Sequence, residues 1–227
     1  MQRSFEGDPR SRRVPEEGLQ PPVEHLRAVE PRDLKTMLRW FQDSSILPHL
    51  IGLTIDTTVK DLDQYYRKPR VHGLVAERPD GTIVSTVAFK DADAADPDTF
   101  MRMRSAEMVR GCVDPLRQGK HVGTRTFAQA LDEHAFNPDG LNYDKVAAGY
   151  IKVPGYEAVK HVLDTLGFRV IGSRFREVEK TIDGKTDHFD VVLVELSREQ
   201  WLARKDRVFA RLNEPPRRPF IPFSRLG

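Results

Sequence analysis

Val113-Asp114-Pro115-Leu116-Arg117-Gln118-Gly119-Lys120-His121-Val122-Gly123-Thr124, continuing into Arg125-Thr126-Phe127-Ala128-Gln129-Ala130-Leu131, decides how this chain is read. An apolar, strand-like run ends in a basic, glycine-containing turn. The turn feeds a segment whose apolar residues recur at helical spacing. Such a loop aims backbone N–H groups and a helix N-terminus at one spot, which binds phosphate without a metal. The stretch points to a cofactor-binding enzyme.

The 227 residues suit one large domain or two small ones. Charged residues make up 31% and hydrophobic ones 39%, as in ordinary soluble proteins. The single cysteine, Cys112, leaves no intrachain disulfide and fits a reducing, cytoplasmic compartment. No apolar run approaches the roughly 20 residues of a membrane span. The arginine-bearing N-terminus has no apolar core of a signal peptide. The seven histidines and the acidic residues show no metal-ligand spacing, so no metal is expected.

The net charge of +2 is unevenly spread. Residues 198–227 carry eight basic residues against three acidic ones, and residues 1–13 four against two. Basic ends on an acidic body fit tails that touch something negative, or tails that are merely solvated.

Residues 1–22, polar and rich in Arg and Pro, read as a flexible basic arm. Val23–Val29 reads as a strand. Pro31-Arg32-Asp33 opens a helix with Leu34, Met37, Leu38 and Phe41 on one face. Thr57 or Thr58 caps a second helix. Val71–Glu77 and Thr82–Lys90 flank Arg78-Pro79-Asp80-Gly81 as a hairpin. An acidic loop, Asp91–Asp98, precedes a strand over Arg102–Val113. The helix after the turn covers Val122–Phe136, followed by a strand at Lys145–Lys152 and a helix at Tyr156–Leu166. Phe168–Val178 and Phe189–Leu196 form a last strand pair around Asp183-Gly184. A helix from Arg198 to about Leu212 and an extended tail from Pro215 end the chain. The expected fold is α/β: a single mixed, mostly antiparallel sheet with helices on both faces. Its central domain spans 23–197, followed by the C-terminal helix and Pro/Arg-rich tail of 198–227.

This order of elements, over about residues 24–202, resembles the GNAT superfamily of N-acetyltransferases. Gln118-Gly119-Lys120-His121-Val122-Gly123 matches the family's pyrophosphate motif Gln/Arg-x-x-Gly-x-Gly/Ala, except that His121 replaces the first glycine. Leu166-Gly167-Phe168, with Gly172, matches its Leu-Gly-Phe signature. Asp183-Gly184-Lys185 through Leu193, with Trp201 beyond, is similar to the branch that acetylates protein N-termini, including ribosomal-protein alanine acetyltransferases. The resemblance implies acetyl-CoA as acyl donor. Gln118, Gly119, Lys120, His121, Val122, Gly123 and Thr124 would hold its pyrophosphate. The strand before them would splay from its neighbour, placing Cys112 and Val113 beside the pantetheine and a backbone N–H at the developing oxyanion. A Cβ at His121 suits the turn if its φ is negative, and the ring can then contact phosphate. The family's Asn-x-x-Ser appears as Tyr156-Glu157-Ala158-Val159, and its leaving-group tyrosine aligns with Leu163.

Acetyl transfer needs a neutral amine, so a base must remove a proton. Glu107, on the strand entering the motif, is the first candidate; a surface glutamate on an alternating strand is the competing reading. Tyr150 and Tyr156 can replace the missing acid, or pack the core. Cys112 has no histidine near it in sequence to activate it and reads as a packed thiol. His188 and Asp190 share a strand face and can meet the substrate or each other.

Three functions follow. The first is acetyl transfer from acetyl-CoA to a primary amine, a protein N-terminus or a small amine, by direct attack. The second is a GNAT-like module without catalysis, binding a protein partner through the Pro219–Phe223 tail. The third is nucleic-acid modification, with the arginine-rich ends on phosphates.

Overall fold

The computed structural model describes residues 24–92, 104–119 and 121–213. The expected basic arm, most of the acidic loop, Lys120 and the tail from Pro215 lie outside them. Seven strands form one sheet: β1 (His25–Ala28), β2 (Val71–Glu77), β3 (Ile83–Asp91), β4 (Ser105–Val113), β5 (Lys145–Ile151), β6 (Arg169–Ile182) and β7 (Lys185–Ser197). Their order is β1-β2-β3-β4-β5-β7-β6. Every neighbouring pair is antiparallel except β4 and β5.

Turn chemistry explains the hairpins. Gly81, at φ +80°, donates its N–H to Arg78 O at 2.9 Å, and Asp80 accepts from the Thr82 N–H. Asp183 and Gly184 both sit at positive φ, +51° and +75°, the pair of left-handed residues that a tight two-residue hairpin requires. The parallel pair needs a crossover. It is supplied by α3 (Val122–Gln129), which widens into a π-helical turn over Ala130–Ala135.

Helices cover both faces, as expected. On one face α1 (Leu34–Phe41) buries Leu34, Met37, Trp40 and Phe41 at helical spacing. Beside it, α2 (Val59–Tyr66) starts at Thr58, whose side chain accepts from the Asp61 N–H while Asp61 reaches back to the Thr58 N–H. These helices share a core with Val75, Ile83 and Cys112. On the other face, α3, α4 (Glu157–Leu166), α5 (Arg198–Leu202) and α6 (Lys205–Asn213) close over Phe89, Met108, Val146, Val194 and Leu196. Trp201, Val208 and Leu212 are buried in that core. Trp201 Nε1 donates to Asp132 Oδ1 at 3.0 Å, so residues after 197 pack against the crossover helix. Among the described residues, no helix is long and apolar enough to cross a membrane.

The structure departs from the sequence reading at element ends. β6 and β7 run through to their turn, because Glu179–Thr181 and Thr186–His188 are polar yet still pair across the hairpin. The helix expected from Arg198 breaks at Ala203-Arg204 into α5 and α6. Asp91 belongs to β3, where it accepts from Tyr143 Oη at 2.5 Å and lies 3.2 Å from His72 Nε2.

A buried ionic knot pins the N-terminal elements. The Arg27 guanidinium donates to both Asp33 oxygens at 2.7 and 2.9 Å and to Glu77 Oε1 at 2.7 Å. Asp33 and Glu77 are only 4% and 8% exposed. Together they join β1, the start of α1 and the end of β2. The Arg27 hydrogen bond holds the Glu77 carboxyl below the usual range, against the opposing effect of burial. A depressed carboxyl contributes stability above its unfolded pKa, about 4, and that contribution is lost as pH falls through the folded value. Arg27→Met therefore lowers the melting temperature at neutral pH by about 10 °C, the scale for stranding partners of a buried pair in a domain this size. The gap to wild type narrows below about pH 4, as scanning calorimetry across pH will show.

Candidate functional site

The motif turn lies at the end of β4. The Asp114 N–H donates to Val84 O at 2.9 Å, and its carboxylate accepts from the Leu116 N–H at 3.0 Å, starting a single 3-10 turn, Pro115–Arg117. Gly119 follows at φ +80° and His121 at φ +57°, immediately before α3. The first residues of α3 are Val122, Gly123 and Thr124. N–H groups in the first turn of a helix have no acceptor within it, and the helix dipole adds positive potential there. Gly123 permits close packing of helix on strand: a Cβ there would stand 2.7 Å from Val113 Cγ2. α3 is held in place from below. Thr126 Oγ1 donates to Val122 O at 3.0 Å and lies 2.5 Å from the Ser85 hydroxyl of β3, both residues fully buried.

His121 corrects the sequence reading. Its φ is positive, so a non-glycine residue occupies the left-handed conformation that glycine adopts freely. Burial lowers the imidazole pKa, and Arg211, Arg125 and His161 lower it further, all favouring the neutral ring. Of these neighbours, Arg125 lies one turn into α3, His161 on α4 and Arg211 on α6. None was identified from the sequence. His161 and Arg211 are remote from the motif, and only the packing of α4 and α6 beside α3 brings them to it. Lys120 lies outside the described residues.

Strand β4 carries an extra residue. Opposite the two steps from Thr86 to Ala88, β4 takes three, from Cys112 to Val109, so Arg110 and Gly111 form a bulge. Arg110 is left-handed at φ +53°. The bulge inverts side-chain alternation. Met108 joins the core under α3 and α4, whereas Cys112 joins the core under α1 and α2. Plain alternation would put both on the same face. Arg110 projects toward α2, with Cζ 3.3 Å from the Tyr65 ring centroid. Gly111 faces α3, where a Cβ would meet Phe127 Cζ at 2.6 Å. The Cys112 thiol pKa is pushed up by burial first, with Asp43 and Asp114 adding to it. Its side chain is thus a packed, protonated thiol. Val113, by contrast, lies directly against the start of α3.

The pairing of β4 with β5 stops short of this bulge. It runs from Ser105 opposite Lys145 to Met108 opposite Ala148, and no further. Beyond it, β4 continues to Val113 and β5 to Ile151, leaving a gap between Val109–Val113 and Gly149–Ile151 that opens toward the motif turn.

Glu107 lies one residue before the last pair, Met108 and Ala148, and is exposed. It lines a cleft of about 460 Å³ with Ile51, Gly149, Arg174, Glu177 and Glu195. Lys145 pairs with Glu195 at 2.9 Å and Arg174 with Glu177 at 2.7 Å. Glu107 makes no ion pair with a described residue. One wall is latched by Lys180 of β6, whose Nζ donates to Leu50 O at 2.6 Å and Leu47 O at 3.4 Å in the segment after α1. Glu177 and Glu195 escaped the sequence reading because the hairpin that carries them is distant in the chain.

Tyr150 and Tyr156 come together on the opposite face. Their rings stack with centroids 5.8 Å apart and planes 5° from parallel. Tyr150 is buried, which raises its phenol pKa. Leu163 is core, 4% exposed, so α4 presents no hydroxyl there. His188 lies 3.5 Å from Glu179, and Asp190 pairs with Lys152 at 3.3 Å, so these two engage neighbours on the hairpin and just past β5 rather than each other.

The left-handed conformation at His121 costs on the order of 1 kcal/mol relative to glycine. His121→Gly should raise the melting temperature by about 2–4 °C for a chain this long, whereas the β-branched His121→Val should lower it. Differential scanning calorimetry of the two variants measures both.

No protein-family model matches the chain, and no curated protein matches it in sequence. Its fold has close counterparts among solved structures. A spermidine N-acetyltransferase from Vibrio cholerae in complex with CoA and spermine superposes with a TM-score of 0.63 at 21% identity, covering 79% of this chain and 98% of that one. A protein assigned as a phosphinothricin N-acetyltransferase gives 0.59 at 20% identity, covering 77% and 98%. With its seven-stranded mixed sheet, crossover helix and parted parallel pair, this chain has the GNAT acetyltransferase fold.

Proposed function

We propose that this protein transfers the acetyl group of acetyl-CoA to a primary amine by direct attack. One observation carries the proposal. The β4–β5 pair parts after Met108 and Ala148, between a phosphate-type turn at the start of α3 and a cleft lined by Glu107.

In this reading the donor pyrophosphate is held by the N–H groups of Gly119 and Val122–Thr124, with Gln118, Lys120 and His121 around it. The cation at Arg125 adds to the field there. The thioester enters the gap, where backbone N–H groups of Val109–Val113 that β5 does not engage can meet the carbonyl oxygen. Gly111 and Val113 face the donor side, against α3. The amine approaches from the opposite face of the sheet, through the cleft. Glu107, without an ion-pair partner among the described residues, takes a proton from the ammonium group, directly or through water. The nitrogen lone pair then attacks the acetyl carbon. The nitrogen, which still carries one proton too many, releases it to water; the oxyanion collapses, the C–S bond breaks, and the neutral amide and the CoA thiolate leave. Tyr150 and Tyr156 flank the donor face, where a phenol can return a proton to the thiolate.

The cleft carries three carboxylates, Glu107, Glu177 and Glu195, against Lys145 and Arg174. Its charge and size favour a cationic amine, whether a small polyamine-like molecule or a protein N-terminus. The V. cholerae structure, with spermine and CoA, supports the small-amine form of this reading. A second reading is a module that binds acyl-CoA without turnover. Leu163 favours it, since it occupies the position aligned with the family's tyrosine as a buried core residue.

Saturating acetyl-CoA should raise the melting temperature by several degrees through binding linkage. Absence of any shift overturns the reading of the α3 turn. Release of free CoA thiol should then accompany incubation with spermidine or with a peptide bearing a free N-terminus. Binding without thiol release on any amine establishes the non-catalytic reading. Glu107→Gln should cut kcat by about 10²–10⁴ while leaving the acetyl-CoA thermal shift unchanged. Its residual rate should climb with pH as the amine deprotonates in solution, a trend that steady-state assays across pH will read.

A further inference from the structure

A second cleft, of about 520 Å³, lies between the end of α4, the start of β6, the end of β7 and the helices α5 and α6. Arg169, Arg204, Arg207 and Arg211 line it, and among the described residues one carboxylate, Glu199, stands against them. Arg204, Arg207 and Arg211 recur at helical spacing, so α6 and the residue before it present one cationic face. Arg169 joins them from the first residue of β6.

None of these four arginines pairs with a carboxylate of a described residue. Elsewhere in the same chain Arg27, Arg32, Arg67, Arg117, Arg174, Arg176 and Arg198 all do. Arg204 is also fixed in place. Its guanidinium lies against the backbone of Gly167, where any Cβ would overlap it, and its Nε is buried without a hydrogen-bond partner. Gathering four permanent cations in one concavity is unfavourable by itself. It becomes favourable when an anion enters, and guanidinium groups match phosphoryl oxygens with paired hydrogen bonds.

We propose that this cleft is an anion site for a small molecule carrying two or more phosphoryl groups, separate from the acyl-CoA turn. Its volume is that of a small-molecule site. Among the described residues no aromatic side chain lines it, so they offer no stacking platform of the kind that single-stranded nucleic acid uses.

The probe is inorganic tripolyphosphate, titrated calorimetrically into the full chain at physiological ionic strength. One molecule should bind per chain, and equally well in the presence of saturating CoA. Arg169→Glu and Arg207→Glu, both at exposed positions, should each weaken binding by about tenfold or more. Arg39→Glu on α1, an equal change of charge at a remote exposed position, should leave it unchanged. Circular dichroism of each variant confirms an intact fold. Absence of binding overturns the proposal, as does equal weakening by Arg39→Glu. Displacement by CoA overturns it by assigning the cleft to the donor. A single-stranded RNA oligonucleotide that binds more tightly than tripolyphosphate, with the same sensitivity to Arg169→Glu and Arg207→Glu, overturns it in favour of a nucleic-acid surface.

Discussion

The candidate site depends on how β4 is paired along its two edges. Toward β3 it stays bonded over its whole length, but only by admitting one extra residue at Arg110 and Gly111. Toward β5 it bonds for four residues and then parts. A strand firmly held on one edge and free on the other can leave backbone groups unpaired without losing its position. Unpaired backbone groups inside a sheet are costly unless something satisfies them. Here they border a gap that a ligand can enter. Neighbouring elements maintain that arrangement. Phe127 fills the space left by the missing side chain of Gly111, Val113 packs against Gly123, and Arg110 lies over Tyr65.

Polar bonds place the surrounding elements at defined heights. Ser85 and Thr126 fix α3 on β3, so the start of α3 stands at the end of β4. The Arg27 knot fixes β1 and α1 on the end of β2. Lys180 holds the long hairpin to the segment after α1, over the Glu107 cleft. The strained His121 is carried by this framework. The turn that holds His121 is tied to β3 on both sides, through the Asp114 N–H on Val84 O and the Thr126–Ser85 hydroxyl pair.

Electrostatics divide the molecule. The cleft on the α1–α2 face gathers Glu107, Glu177 and Glu195, which suits a cationic acceptor. The α3 turn and the α5–α6 side gather histidine and arginine, which suits phosphate. Donor and acceptor of opposite charge would then approach the gap from opposite faces, each repelled by the other's site. The uneven charge along the chain acquires a physical meaning: the basic excess of residues 198–227 is in part the arginine face of α6.

Much of the fold was legible in the sequence because it rests on local chemistry. Asp80-Gly81 and Asp183-Gly184 mark turns through their backbone conformations, Thr58 and Asp61 cap a helix within four residues, and α1 reveals its buried face by spacing. The same holds for the phosphate-type turn, whose members are consecutive, and for Glu107 on the strand before it. What tertiary structure alone decided involves residues far apart in the chain. Periodicity on β4 does not reveal the bulge, because the extra residue is defined only against β3; it nevertheless decides that Cys112 is core beneath α1 and α2. The positive φ at His121 appears only in the folded turn. The stacking of Tyr150 on Tyr156, the carboxylates facing Glu107, and the arginines from β6 and α6 around one cleft all arise where segments converge. Local sequence specifies conformation over a few bonds, whereas a site is a set of distances between side chains that only the packed sheet and helices bring together.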